Sequence, residues 1–251
     1  MERKYRSHGE SQLSVDLVRV RAQNNEIATL VYAPRRPRNV WLVAGHGYSS
    51  SKHNLDFLCG FLASHGFGVA SLDFPGHKLG ASGGTLRGVD DLIDAMSAVV
   101  EYVGERHVAP VYTMGHSMGA MTALFTAGLD RSIAGAIAIA TGYGRPSALE
   151  SLKAAGATDF RSSYVTGVSL PELIEGIDAR FADALPRLEG RPQLYVAADR
   201  DAMVSRASVE ALYDRAREPK RFVTVSSDHT YAGEHARSSV LQWLNDLHPR
   251  H

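Results

Sequence analysis

The pentapeptide Gly115-His116-Ser117-Met118-Gly119 constrains this chain more than any other stretch. It lies between an apolar run ending at Met114 and a run of small residues that reads as a helix. Glycines on either side of a serine let the backbone turn sharply from strand to helix while the serine is pushed outward in a strained conformation. A helix that begins just after Ser117 also aims free N–H groups and a positive dipole end toward that hydroxyl. Acyl transfer needs this presentation. The chain holds 23 glycines, however, so the pentapeptide alone also fits an ordinary turn, and its surroundings decide.

Those surroundings alternate between strand and helix. Leu13 to Arg21 and Glu26 to Tyr32 are β-like runs joined at Asn24-Asn25, which reads as an opening hairpin. Apolar runs of strand length follow at Val40 to Ala44, Phe67 to Leu72, Val108 to Met114, Ser132 to Ala140, Gln193 to Ala197 and Arg221 to Val225. Helical patterns separate or follow them at His53 to His65, Val89 to Val103, Met118 to Gly128, Arg206 to Arg217 and Tyr231 to Leu247. Continuous apolar runs suit strands covered on both faces, and the alternation implies parallel strands linked by right-handed crossovers. The expected fold is α/β: a mostly parallel twisted sheet of about eight strands, helices on both faces, and the hairpin at one edge. Thr141 to Leu188 breaks the rhythm, with short helical patterns around Pro146 to Ala155 and Pro171 to Leu185. We read it as a small helical cap inserted at about 141–188 in a single domain spanning 1–251.

Composition narrows the function classes. Lys plus Arg and Asp plus Glu number 27 each, so no basic field for nucleic acid exists, and the expected partner is a small molecule. Met1 to Gly9 is polar and lacks the apolar core of a secretory signal, and Ile133 to Ala140 is far shorter than the roughly 20 residues of a membrane span. The expectation is a cytoplasmic protein. Cys59, the single cysteine, excludes an intrachain disulfide and reads as a small buried side chain on a helix. The eleven histidines lack paired metal-ligand spacing, with His229 and His235 near Glu234 as a weak metal candidate, and no metal or organic cofactor is expected. Neither Gly45-His46-Gly47 nor the serine pentapeptide has the glycine spacing of a phosphate-binding loop.

A serine hydroxyl becomes a good nucleophile when a base takes its proton, and the base works best when a carboxylate fixes its tautomer. In open α/β sheets such groups sit on loops at the carboxyl ends of strands. There the sequence offers Asp199-Arg200-Asp201 after one apolar run and Ser226-Ser227-Asp228-His229 after the last. With these residues in view, the chain from about Leu30 to Leu247 resembles the α/β-hydrolase family, in its serine carboxylesterase and monoacylglycerol-lipase-like branch. The order serine, aspartate, histidine matches the family order. Gly45-His46-Gly47-Tyr48 resembles its oxyanion loop, and Asp73-Phe74-Pro75-Gly76-His77 with Ser82 and Gly83 resembles a further family segment. One departure stands out: Lys78-Leu79 lengthen that segment before Gly80.

The resemblance implies Ser117 as nucleophile at its elbow, His229 as base, and Asp201 as acid in preference to Asp199. Ala198 through Val204 fits the family pattern around the acid, with alanine in place of glycine. Asp228 reads as a solvated loop carboxylate. Backbone N–H groups of Met118 and Tyr48 are the implied oxyanion hole, with Gly47 permitting close approach of that loop and the Tyr48 ring as pocket wall. His116 and His46 read as hydrogen-bonded histidines that shape their turns, as does His77. Gly47, Tyr48, His116 and Tyr143 are the candidate substrate contacts. The aromatics Tyr143, Phe160 and Tyr164 suit acyl contact, and suit cap core at least as well. The implied function is hydrolysis of carboxylic esters of small or medium acyl groups through an acyl-serine. The alternatives are an acyl thioesterase acting on acyl-CoA or carrier-bound chains, favoured by a basic cap at Arg145, Lys153, Arg161 and Arg180, and more remotely a ligand receptor on an intact hydrolase fold. A peptidase is a lesser option. Oligomeric state is open, with a homodimer through the terminal helix or a sheet edge as one possibility.

Overall fold

The computed structural model describes residues 12–23, 25–144 and 159–249. Eight strands form one sheet in the order β1-β2-β4-β3-β5-β6-β7-β8. They are β1 (Leu13–Arg21), β2 (Glu26–Pro34), β3 (Trp41–Gly45), β4 (Gly68–Leu72), β5 (Val111–His116), β6 (Gly135–Ile139), β7 (Gln193–Ala198) and β8 (Lys220–Val225). The β1–β2 hairpin is antiparallel and joins the edge of β4 antiparallel, while β4 through β8 pair in parallel. The expected class, strand count and edge hairpin all match this sheet. Asn24 of the expected turn lies outside the described residues, as does the helical pattern expected around Pro146 to Ala155.

Alternation along the central strands divides the core in two. Leu42, Ala44, Met114 and Ile137 face one layer, packed with Leu58 and Leu62 of α1 (Asp56–Ser64) and Val240 and Leu244 near the C-terminus. Val43, Ala136 and Ala138 face the other, packed with α2 (Val89–Arg106) and α3 (Met118–Leu129). Burial on both sides explains why these strands read as unbroken apolar runs. It is also why α3 is buried along nearly its whole length: it sits between the sheet, α2 and the segment Ile177–Leu188.

Of the segment expected as a cap, the described part holds α4 (Asp159–Ser162), α5 (Leu170–Ile174) and α6 (Ile177–Ala184). The short helical pattern expected around Pro171 to Leu185 is present. It falls in two pieces, α5 and α6, separated at Gly176, which is in the left-handed region at φ 69°. Ser169 and Glu172 start α5 with a reciprocal capping box. After β7, α7 (Arg206–Arg215) follows, and the expected final helix appears as α8 (Ala232–His235) and α9 (Arg237–Leu247) meeting at Ala236. No helix among the described residues is long and apolar enough to cross a membrane.

Candidate active site

Ser117 stands between β5 and α3 with φ 54° and ψ −114°, a positive-φ conformation that a side chain rarely adopts. Close packing holds it there. A Cβ on Gly115 would lie 2.2 Å from the carbonyl of Gly119, and one on Gly119 would lie 2.0 Å from the Gly45 oxygen. The two glycines therefore serve close approach, and the strained dihedral falls on the serine itself. Ser117 N–H donates to the Ile139 carbonyl at 2.8 Å, which ties the turn to the neighbouring strand.

From the loop after β8, His229 brings Nε2 to 3.1 Å from Ser117 Oγ. Its Nδ1 lies 2.7 Å from Oδ2 of Asp201, in the loop after β7. The Asp201 side chain is fully buried, and its Oδ1 accepts the backbone N–H groups of Met203 at 2.8 Å and Val204 at 2.7 Å. Burial alone would raise this carboxyl. The hydrogen bond and charge of His229, with the two backbone donors, outweigh it and hold the carboxyl below its ordinary value. Asp199 does not reach His229: its carboxylate accepts from Ser226 Oγ at 3.1 Å and Ser227 N–H at 3.0 Å, so it links the two loops. Asp228 is exposed and caps the next turn by accepting from Tyr231 N–H at 3.0 Å.

The other histidines of the region are buried and neutral. His116 donates from Nε2 to the carbonyl of His229 at 2.7 Å, which fixes the height of the His229 loop. Burial, then the neighbouring charges, pushes its pKa down to about 3. His46 Nδ1 donates to the Gly47 carbonyl at 2.8 Å, and its Nε2 accepts the Phe74 N–H at 3.0 Å. It too is held at about 3, chiefly by burial. His77 donates from Nδ1 to the Pro75 carbonyl at 3.0 Å. Beneath this loop, Lys52 Nζ meets Asp73 Oδ2 at 2.5 Å in a buried ion pair. The Asp73 carboxylate also accepts N–H groups of Lys52 and Ala81, which pin the loop ends.

Gly47 passes close to the serine, since a Cβ there would lie 3.5 Å from Ser117 Cβ and 3.2 Å from His116 Nδ1. Met118 opens α3, so its N–H has no acceptor within that helix. The Tyr48 ring is buried, and its hydroxyl donates to the Val168 carbonyl at 2.9 Å, which makes it a wall joined to the cap. A cavity of about 270 Å³ opens here, lined by Gly47, Tyr48, His116, Ser117 and His229 from the sheet side. Leu79, Phe160, Arg161 and Tyr164 line its mouth. Phe160 and Tyr164 are exposed rather than core. Tyr143 is placed elsewhere: it packs under the Arg215 guanidinium at 3.9 Å and is not among the cavity residues. Arg180 faces Asp90 at 2.8 Å, away from the cavity, and Arg145 and Lys153 lie outside the described residues.

Sequence reasoning did not single out Leu79 as a contact, nor Ser49, Ser50, Asn54 and Thr230, which also line the cavity. The signal for Leu79 was present in the Lys78-Leu79 insertion. Lys78 N–H donates to the Tyr164 carbonyl at 2.9 Å and its Nζ to the Ser163 carbonyl at 2.8 Å, so the insertion bonds the loop to the cap and leaves Leu79 beside the cavity. Cys59 is buried on α1, where burial first of all pushes its thiol up to about 12. Among the described residues no cluster of three or more His, Cys, Asp or Glu side chains could hold a metal.

Residues 36–176, more than half of the chain, match the family model described as serine aminopeptidase, S33. The chain belongs to this family of α/β hydrolases. No curated protein sequence matches it. Several solved structures share its fold. Esterase Pf2001 of Pyrococcus furiosus superposes with a TM-score of 0.70 at 18% identity over 93% of either chain. Est1E of Butyrivibrio proteoclasticus, with ferulic acid bound, gives 0.66 at 19% identity over 92% of this chain and 97% of the other. A thioesterase domain from the curacin biosynthetic pathway gives 0.66 at 15% identity over 93% and 99%. At these identities the likeness establishes the esterase-like fold of this α/β hydrolase.

Proposed function

We propose that this α/β hydrolase cleaves carboxylic esters of small or medium acyl groups through an acyl-serine intermediate. The observation that carries the reading is the unbroken relay from Ser117 Oγ through His229 to Asp201, at 3.1 and 2.7 Å, opening on a cavity. Ser117 Oγ attacks the ester carbonyl carbon, and its proton passes to His229 Nε2. Asp201 holds the imidazole with Nδ1 protonated and stabilises the imidazolium as it forms. The oxyanion is taken by the N–H groups of Met118 and Tyr48, each such donor being worth roughly 3–4 kcal/mol in the transition state. Collapse breaks the carbon–oxygen bond, and the alcohol leaves with the proton from His229. A water then attacks the acyl-serine, again losing its proton to His229, and frees the acid and Ser117.

The cavity volume supports small substrates, since it lies at or below the lower end of ordinary ligand pockets, about 300 Å³. The test is hydrolysis of 4-nitrophenyl esters of increasing chain length by wild type and Ser117→Ala. Turnover lost in the variant supports the reading; equal turnover by both removes Ser117 from it.

Thioester cleavage is a second reading, because the same steps break a carbon–sulfur bond and because Arg161 puts a cation on the cavity wall. Matched acyl-CoA thioesters in the same panel decide between the two. The aminopeptidase in the family description makes amide cleavage a third arm of the panel.

A further inference from the structure

Arg161 differs from Arg180 and Arg187, which are paired with Asp90 and Asp183. It lies on α4 in the cap, is half-buried, and lines the same cavity as Ser117 and His229. Its guanidinium has no hydrogen-bond acceptor and no acidic partner among the described residues. The contrast with Arg180 on α6, paired in two bonds with Asp90, is direct. Among the described residues no Asp or Glu lines the cavity, and His116 on its wall is held neutral, so of these residues Arg161 supplies the fixed charge. A cation in a partly enclosed, low-dielectric space attracts an anion more strongly than one on open surface. A guanidinium also offers a planar fork of donors that fits carboxylate and phosphate oxygens.

We propose that Arg161 binds an oxyanion, carboxylate or phosphate, carried by the substrate, so that the substrate class is a negatively charged ester or thioester. The proposal rests on the serine-hydrolase reading for the bond that is cleaved, and on Arg161 alone for the group that is recognised. Because the cavity is only about 270 Å³, a substrate that fills it places a charge a few bonds from the scissile carbonyl within reach of the cap. Bound charge and guanidinium then neutralise each other beside His229, where an uncompensated cation would oppose formation of the imidazolium.

The test compares charged and neutral substrates of equal length. One pair is 4-nitrophenyl hydrogen adipate and 4-nitrophenyl methyl adipate, which puts a carboxylate on the acyl side. The other is the S-acetyl thioester of 2-mercaptoethyl phosphate and that of its dimethyl phosphate ester, which puts a phosphate on the leaving side within the same few bonds. Wild type is expected to favour the charged member of one pair by about tenfold or more in kcat/KM, the scale of a charge-assisted hydrogen bond. The favoured pair identifies the source of the anion. In Arg161→Gln the charged-to-neutral ratio falls toward unity, mainly through KM; Arg161→Lys restores part of it; Arg180→Gln leaves it as in wild type. Binding of adipate and of adipamide to wild type and Arg161→Gln, followed by calorimetry, gives a readout that needs no turnover. Adipate bound by wild type and lost in Arg161→Gln, with no ester or thioester cleaved, keeps the anion site and removes the hydrolase reading. The same charged-to-neutral ratio in wild type and Arg161→Gln, with the same adipate binding, overturns the proposal.

Discussion

Exchange of Asp201 for asparagine isolates one proton. The asparagine carbonyl still accepts the Met203 and Val204 N–H groups, now held at 2.8 and 2.7 Å by Oδ1, so the loop keeps its shape. What changes is the group 2.7 Å from His229 Nδ1. An amide NH2 in that place donates, so Nδ1 must accept, and the imidazole proton moves to Nε2. That N–H then points at Ser117 Oγ, 3.1 Å away, and the ring has no lone pair for the serine proton. Inversion of the tautomer in a Ser-His-Asp triad costs about 10⁴ in kcat. At 1.36 kcal/mol per decade this is roughly 5.5 kcal/mol of transition-state stabilisation.

Asp199→Asn is the matched control, two residues away in the same loop. Its carboxylate is well exposed and bonds Ser226 and Ser227, neither of which touches His229 in the relay. The expected loss is within about threefold, as for a surface change of about 0.5 kcal/mol. The assay is steady-state hydrolysis of a 4-nitrophenyl ester found active with wild type, with circular dichroism to show that both variants fold. Comparable losses in the two variants, or a larger loss in Asp199→Asn, refute the acid assignment and the tautomer argument with it.

Ser117→Ala and His229→Ala are each expected to abolish ester hydrolysis and keep native circular dichroism, since neither side chain bridges core elements. Gly119→Ala forces a Cβ to 2.0 Å from the Gly45 oxygen and should cost at least about 1–3 kcal/mol, whereas Gly60→Ala on α1, with no atom within 4 Å of the new Cβ, should be neutral or slightly stabilising; urea unfolding measures both. Lys52→Met leaves Asp73 buried without its cation, and a loss of about 3–5 kcal/mol is expected by the same measurement. His46 and His116 are held at about 3 against an ordinary 6.5. The unfolded chain therefore binds more protons between those values, and stability is full above pH 6.5 and falls as pH drops toward 3. Each histidine contributes a slope of about 1.4 kcal/mol per pH unit. Urea midpoints that stay flat from pH 7 to 5, or a slope unchanged by His46→Gln, would count against burial as the cause.

The sheet was legible because its information is local. Five residues around Ser117, an aspartate after one strand and a histidine after the next each announce a position at the carboxyl edge, and the parallel sheet brings that edge together. Boundaries shifted where the local signal was poor: Val108 reads as strand yet lies exposed before β5, and Tyr231 to Leu247 reads as one helix yet divides at Ala236. Tyr143 shows the limit of reading a contact from residue type. An aromatic near the start of the cap serves a cavity or a neighbouring helix equally well in sequence, and here Arg215 of α7 supplies the closer partner.

The Lys78-Leu79 insertion shows what a sequence reports when its meaning is non-local. As a departure from the family pattern it was visible, but its effect depends on carbonyls more than eighty residues away, at Ser163 and Tyr164. Two short bridges extend the same attachment, His77 pairing with Val165 and Leu86 with Gly167, where a Cβ on Gly167 would meet the Leu86 oxygen at 1.9 Å. The cap segment that carries Phe160, Arg161 and Tyr164 is thus stitched to the loop that also carries Asp73, whose carboxylate is locked under the sheet edge by Lys52. The proposed chemistry and the proposed selection of substrate accordingly sit on different supports. Ser117, His229 and Asp201 are fixed by strand ends and read directly from sequence, whereas the side chains proposed to meet the substrate's far end are fixed by backbone bonds between two loops, which no spacing within either loop encodes.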